Sequence, residues 1–500
     1  MRHAFVPAAL ARYKHLFMKD KFKEAVKEAN APYAPYTGLL GRHPKGLALL
    51  FVTEMWERFS YYGMRGLLIL FLVDAVNDGG LGWSKEDAGR LYGWYTSLVY
   101  LTPVLGGVLA DRYLGTHRSL VLGGVIIALG HFTLAWHTMP AFYTGLALII
   151  VGTGFFKPCA SVMVGQLYGY NDPRRDAAYT IFYMGINLGA FIGPLICGWL
   201  AEDPHYGWSY GFAAAGVGMV LGLLAYLAGR GSYLGEIGAP PTRAIPIASA
   251  SDDAPPALSR EERHRIIAIV IMAFFVVFFW SAFEQAGASL NLYALEKTDR
   301  GVSVDSWLSN WLSADPLTGG TVSLPASWFQ SLNPLFILLF APLFSWLWGR
   351  LGRLGVEPAT PAKMALGLWL LGAGFAVLVG GAMRSDGGAL VSPGWLVVTY
   401  LLHTWGELCL SPVGLSFVNK LAPARLAALL MGVWFLANWA ANLIAGYLTA
   451  YMDAISKGQL FQIVGGQADF FLLFVASSFA AGLLLLVITP GLAKLMHGIH

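Results

Sequence analysis

FVTEMWERFSYYGMRGLLILF, residues 51–71, is the stretch on which the reading of this chain turns. Its length and apolar content suit a helix crossing a hydrocarbon core of about 30 Å. Yet it carries Glu54, Glu57, Arg58 and Arg65. On a wheel of about 100° per residue with Glu54 at zero, Glu57, Arg58, Tyr61, Tyr62 and Arg65 fall near −60°, +40°, −20°, +80° and +20°. All six side chains share an arc of about 140° along about 16 Å of helix. The rest of the surface is Leu, Ile, Phe, Val and Met. One face suits lipid, and the other is a charged, aromatic stripe that has to meet something polar. Helix packing alone would rarely use four charges and two tyrosines on one stripe.

The remainder of the 500 residues fits a membrane setting. Apolar residues make up 56% of the chain and charged residues 12%, with mean hydropathy +0.57. A soluble chain carries roughly twice that charged fraction. Several water-facing domains are therefore excluded, as are disorder, collagen and a disulfide scaffold. A net charge of +4 is too small to suggest a nucleic-acid partner. Twelve apolar runs are long enough to span: 46–73, 87–110, 118–137, 141–168, 176–200, 208–229, 265–294, 327–348, 363–383, 393–420, 424–451 and 470–493. They are continuous rather than alternating, which excludes a β-barrel. With the N-terminus inside, 24 of the 33 Lys and Arg fall in inside segments, six in outside loops and three within spans. Both termini are then expected in the cytoplasm, with the chain a multi-pass protein of the cell (inner or plasma) membrane.

The expected fold is all-α: twelve transmembrane helices in two pseudo-symmetric six-helix bundles. Residues 1–45 form a cytoplasmic N-terminal segment, within which 8–29 reads as a basic amphipathic helix on the inner leaflet. Residues 46–229 form the first bundle and 230–264 a Pro-, Ala- and Ser-rich cytoplasmic linker. Residues 265–493 form the second bundle and 494–500 a cytoplasmic tail. The halves echo each other. GGVLADRYLGTHR (106–118) is a loop after the second span, matched by APLFSWLWGRLGR (341–353) after the eighth. Pro173 with Arg174 and Arg175 precedes Asn187, as Pro423 with Arg425 precedes Asn438. Paired bundles with a site at mid-depth are transporter architecture. The outside loop 296–326 shows no chemistry. Cys159, Cys197 and Cys409 sit in apolar runs without metal or redox spacing and read as packing residues.

Ionisable residues inside a bilayer cost about 3 kcal/mol each on insertion scales. Seven lie within spans: Glu54, Glu57, Arg58, Arg65, Lys157, Glu284 and Glu407. Left unpaired they would cost on the order of 20 kcal/mol, beyond a typical folding stability of about 5–15 kcal/mol. Four acids against three bases nearly balance, so pairing around a polar cavity is the natural solution. Asn187, Asn333, Asn438, Gln285 and Ser411 also interrupt apolar runs, where interhelical hydrogen bonding is an equal alternative to a site role. Tyr100, Trp280 and Trp434 suit cavity walls, although 17 tryptophans make interfacial and packing roles common. His131, His137 and His403 read as satisfied or interfacial histidines.

A cavity with both charges, amides and aromatic walls suits a zwitterion of variable side chain. A peptide's amino end needs a carboxylate, and its carboxylate needs Arg or Lys. Carboxylates in a partly dry cavity serve as proton carriers. A proton that weakens one salt bridge and permits another couples a gradient to rocking of the halves. No Ser/Lys dyad, His cluster or paired-Asp motif points to an enzyme, and no cofactor is implied.

GGVLADRYLGTHR resembles the loop signature of the major facilitator superfamily. EMWERFSYYG (54–63) resembles the first signature of the proton-dependent oligopeptide transporter (POT/PTR) family, and FYMGINLGAFIGP (182–194) its second. FFWSAFEQAGASL, WFQSLNPLFILLFAPLFSWLW and GELCLSPVGLSFVNKLAP are also similar, so the likeness runs from about residue 44 to the last span. It implies that Glu54, Glu57 and Arg58, with Glu284, carry proton coupling and exchange pairing with Lys157. It implies gating salt bridges Arg65–Glu284 and Lys157–Glu407. Arg65 and Lys157 would hold a peptide carboxylate, and Glu407, Asn187 and Asn333 the amino end. Tyr61, Tyr62, Tyr100, Trp280, Trp434 and Asn438 would complete the pocket.

Departures bear on fine preference. The second-span His of animal members is Gly93 here, so coupling falls to carboxylates. Phe283 precedes Glu284 where some members have a second acid, and Asn438 stands where Ser is frequent. Residues 230–264 are too polar for the two extra helices of many bacterial members. The expectation is thus a monomeric, proton-coupled symporter importing di- and tripeptides. The alternative is a relative carrying nitrate, another small anion or a peptide-like drug.

Overall fold

A computed structural model describes residues 43–136, 138–169, 172–239, 258–303, 321–423 and 426–497. The segments 8–29, most of the linker, His137, Arg425, the middle of the 296–326 loop and the side chain of Ser411 lie outside the described residues. Among the described residues, twelve helices have 20 or more residues. The first half holds α1 (Lys45–Val73), α2 (Lys85–Leu109), α3 (Gly115–Leu134), α4 (Met139–Gln166), α5 (Arg174–Glu202) and α6 (Trp208–Tyr233). The second holds α7 (Arg260–Phe283), a short α8 (Ser289–Lys297), α9 (Leu332–Arg353), α10 (Thr360–Ser385), α11 (Gly394–Leu421), α12 (Ala427–Ala450), a short α13 (Met452–Ser456) and α14 (Gln467–Leu495). Nine described segments are long and apolar enough to cross a membrane, one of which, Lys85–Leu134, contains both α2 and α3. The charges of α1 keep it out of that set despite its length.

Local chemistry sets several boundaries. Ser84 opens α2 by accepting the Asp87 N–H, and Thr138 opens α4 through the Ala141 N–H. Ser259 and Glu262 form a reciprocal capping box at the start of α7. Two expectations need correction. The stretch 106–118 is not an open loop: a π-turn, Ala110–Leu114, carries α2 into α3, and the chain changes direction at Gly115 with φ 74°. The seventh span is not one continuous helix either. A 3-10 turn, Glu284–Gly287, separates α7 from α8, and Ala288 takes φ −125° and ψ −97°. In Gln-Ala-Gly-Ala only Gly287 disfavours a helix, and it lies against the Tyr92 hydroxyl and the Arg65 guanidinium, so tertiary contact decides the break.

Small residues bring the helices together, as expected where lipid supplies no hydrophobic drive. α1 packs between α5 and α6: a Cβ added at Gly193 of α5 would stand 2.5 Å from the Phe59 carbonyl. Across the halves, α2 lies on α12, where Gly93 meets Gly446. The ends of the 296–326 loop form a two-stranded antiparallel sheet, β1 (Gly301–Ser303) with β2 (Thr321–Ser323), paired Val302 to Val322. The described cross-half hydrogen bonds and ion pairs gather at this hairpin end of the bundle, away from the end where the chain enters α1 and leaves α14. Asn291 donates to the Gly66 carbonyl at 2.8 Å, Ser331 to Phe191 at 2.7 Å and Trp328 to Leu195 at 2.9 Å.

Candidate functional site

α1 places the charged stripe on the side facing the second half, while its apolar faces pack on α5 and α6. Glu54, Glu57 and Arg58 are all buried. Arg58 Nε lies 3.0 Å from a Glu54 carboxylate oxygen and 2.5 Å from one of Glu57. Two carboxylates therefore compete for one face of a guanidinium. Among the described residues, Glu54 Oε2, Glu57 Oε2 and the Arg58 Nε and Nη2 nitrogens have no hydrogen-bond partner, so the pairing is by charge alone at these atoms. The cluster is charge-paired yet incompletely bonded, which leaves capacity for another partner. Arg58 also lies over the Tyr61 ring, 5.6 Å from its centroid.

About two turns beyond Arg58, Arg65 crosses to the second half. It forms an ion pair with Glu284 on the 3-10 turn and donates from Nε to the Tyr92 hydroxyl at 2.8 Å. Tyr62 stacks beneath the guanidinium at 5.8 Å. All of these polar groups except Tyr62 are buried. Removing either partner of such a buried pair strands the other charge, which typically costs 3–5 kcal/mol. The broken α7 thus has a local purpose: the turn presents Glu284 to Arg65 while Gly287 admits Tyr92.

Deeper in the second half, Glu407 on α11 is buried and accepts from Asn333 Nδ2 at 2.8 Å. The same amide donates to Thr404 Oγ1 at 3.0 Å, so α9 and α11 hold the carboxylate in place. From the first half, Tyr183 of α5 stands within electrostatic reach of Glu407. Lys157 of α4 is half-buried and stands over the Tyr100 ring at 3.9 Å. Among the described residues, Lys157 and Glu407 form no ion pair with each other, because in this arrangement the halves meet at the hairpin end. Lys157 stays within electrostatic reach of Glu54, Glu57 and Arg58.

Asn187 and Asn438 each donate back to their own helix, to the Tyr183 carbonyl at 2.9 Å and the Trp434 carbonyl at 3.1 Å. Trp434 is buried, and Trp280 is half-buried against Phe279 and Phe283. His131 bonds Ser60 at 2.7 Å and His403 packs on Phe375, both fully inside their halves. Sequence reasoning missed Tyr92, Tyr183 and Thr404. Tyr183 had a signal, since it lies four residues before Asn187 on the same helical face. Gln285 bridges within the second half, donating to the Ala445 carbonyl at 3.0 Å and accepting from Thr449 at 2.9 Å. Among the described residues no group of three or more His, Cys, Asp or Glu could hold a metal ion.

Comparison with known proteins follows from this geometry. A family model described as POT family matches residues 117–240 and 256–464. The peptide transporter YePEPT of Yersinia enterocolitica subsp. palearctica is 38% identical, over 82% of this chain and 88% of its own. A di-/tripeptide transporter of Lactococcus lactis subsp. cremoris is 33% identical over 91% of this chain and 97% of its own. A crystal structure of a peptide transporter POT variant in complex with alafosfalin superposes with TM-score 0.80 at 37% identity, covering 95% of this chain and 99% of that one.

Proposed function

The chain belongs to the POT family, and from that premise we propose that it is a proton-coupled symporter importing di- and tripeptides by alternating access. The observation that carries this reading is a divided site: carboxylate Glu407, oriented by Asn333, on one half, and cations Lys157 and Arg65 with the Glu54–Glu57–Arg58 cluster on the other. A zwitterion bridges such a pair of surfaces with one end on each. The relatives named above as peptide transporters support the substrate class.

Arg65 and Lys157 are assigned to the peptide carboxylate, and Glu407, Asn187 and Asn333 to the amino end. Tyr61, Tyr62, Tyr100, Trp280, Trp434 and Asn438 are assigned to the side-chain pockets. Glu54, Glu57 and Arg58 carry the proton with Glu284. Protonation of Glu57 would free Arg58 from one of its two acids and let Lys157 change partner, which is how proton and peptide become one event. Arg65–Glu284 is the gate closed here, and Lys157–Glu407 the gate that forms when the halves rock the other way. Residues 46–229 and 265–493 are the two rocking bundles, and 230–264 is the linker between them. The excess of Lys and Arg in the segments at the chain-end face supports a reading in which the protein sits in the cell membrane with both termini on the cytoplasmic side and the hairpin end outside. The protein acts as a monomer, with both a site and a pathway inside one chain.

The test is uptake of labelled dialanine into proteoliposomes, with dipeptide, tripeptide, amino acid and nitrate as competitors. An inward proton gradient should accelerate uptake, and di- and tripeptides should compete. Uptake equally fast without a gradient and indifferent to Glu57→Gln removes the coupling; competition by nitrate but not dialanine removes the substrate class.

A further inference from the structure

Glu202 is the last residue of α5, in the first half, and its side chain reaches wholly into the second. One carboxylate oxygen accepts the Ala326 N–H at 2.6 Å, and the other accepts the Ser327 N–H at 3.0 Å and the Ser327 hydroxyl at 2.6 Å. Arg300, beside β1, lies 3.5 Å away and donates to the Leu324 carbonyl at 2.6 Å. Only 12% of the Glu202 side chain is exposed. Ala326 and Ser327 begin the 3-10 turn Ala326–Ser331, whose first N–H groups have no acceptor within their own element. An anion at that position satisfies those donors and the positive end of the turn together. Here the anion comes from the opposite half.

We propose that Glu202 is an outer latch: a capping carboxylate lent across the interface that holds the hairpin ends together and sets the balance between the two access states. Every bond it makes crosses the halves, so all are lost together when the outer ends part. The turn it fixes has two further roles. Gln330 and Ser331 bond to Gly66 and Phe191 of the first half, and the turn continues into α9, which carries Asn333 and so orients Glu407. Glu202 is thus a positioning residue that ties outer closure to the register of Glu407, the carboxylate assigned to the peptide's amino end. The latch is distinct from the Arg65–Glu284 pair, with which it shares no residue.

This rests on alternating access but not on which solute is carried, and the experiment needs no solute. Spin labels at Asp78→Cys and Gln459→Cys, exposed positions on opposite halves at the hairpin end, are placed in a Cys159→Ala, Cys197→Ala, Cys409→Ala background. Double electron–electron resonance then reads the separation of the halves in nanodiscs. Glu202→Gln should raise the ratio of long to short separations about tenfold, as expected for the loss of charge-assisted bonds. Ser327→Ala, which removes only the hydroxyl contact, should give a smaller shift in the same direction. An unchanged distribution in both variants overturns the proposal, whether or not melting temperature falls. So does a Glu202→Gln shift matched by Glu236→Gln, a substitution remote from the interface.

Discussion

Arg58 serves two carboxylates with one nitrogen, and that asymmetry is where a proton has consequence. Replacing Glu57 by Gln leaves Arg58 paired with Glu54 alone and removes the proton carrier proposed above. Gradient-driven dipeptide uptake should be lost, while exchange of internal labelled for external unlabelled dipeptide persists; a flux assay in both modes separates the two. Asn333 orients Glu407 through one amide that also bonds Thr404. Asn333→Ala should raise the KM for dipeptides about tenfold, the effect of losing one hydrogen bond to a charged group, with a smaller change in kcat. Arg65 holds Tyr92 and Glu284 with different nitrogens of one rigid fork. Arg65→Lys therefore keeps the charge but not both bonds, and should lower uptake far more than charge conservation suggests.

Helix contacts here depend on missing side chains. At Gly193 a methyl group would meet the Phe59 carbonyl at 2.5 Å, whereas at Gly231 nothing lies within 4 Å. Gly193→Ala should push α5 off α1 and cost about 1–3 kcal/mol. Gly231→Ala should be neutral or stabilising by about 0.5–1 kcal/mol, through helix propensity alone. Thermal unfolding of the purified protein in detergent compares the two. Because α1 and α5 carry Arg58 and Asn187, the first substitution should also impair uptake at temperatures where the protein is still folded.

At the scale of the molecule, closure at one end and separation of Lys157 from Glu407 are one fact seen twice. If the halves rock, opening the hairpin end brings α4 and α11 together. A Lys157→Cys, Glu407→Cys pair in a cysteine-free background should oxidise slowly in the resting protein. Adding Glu202→Gln should speed cross-linking severalfold, read as a mobility shift on gels. Equal rates in both backgrounds would separate the two gates and argue against rigid rocking.

The first span shows why so much was legible. Charges in an apolar run are too costly to be incidental, so the 51–71 stripe called for polar partners, and the near balance of acids and bases pointed to pairing. Run lengths gave twelve helices because a bilayer core fixes how many residues must be apolar. The break after Phe283 and the π-turn through Ala110–Leu114 escaped such reasoning. Both lie in runs whose hydropathy is indifferent to backbone detail, and both are settled by what packs alongside. Tyr92 and Tyr183 were hidden for a related reason: a tyrosine among 22 acquires a role only from the charge that folding brings to it, Arg65 of a neighbouring helix for Tyr92 and Glu407 of the other half for Tyr183. The sequence alone determined that ionisable groups occupy the membrane interior and that two bundles enclose them, since solvation energy depends on composition and spacing. Which acid meets which base across the halves was decided by tertiary structure, because that pairing requires contacts between residues more than 200 positions apart, as Arg65 and Glu284 are, and those form only when one end of the bundle closes.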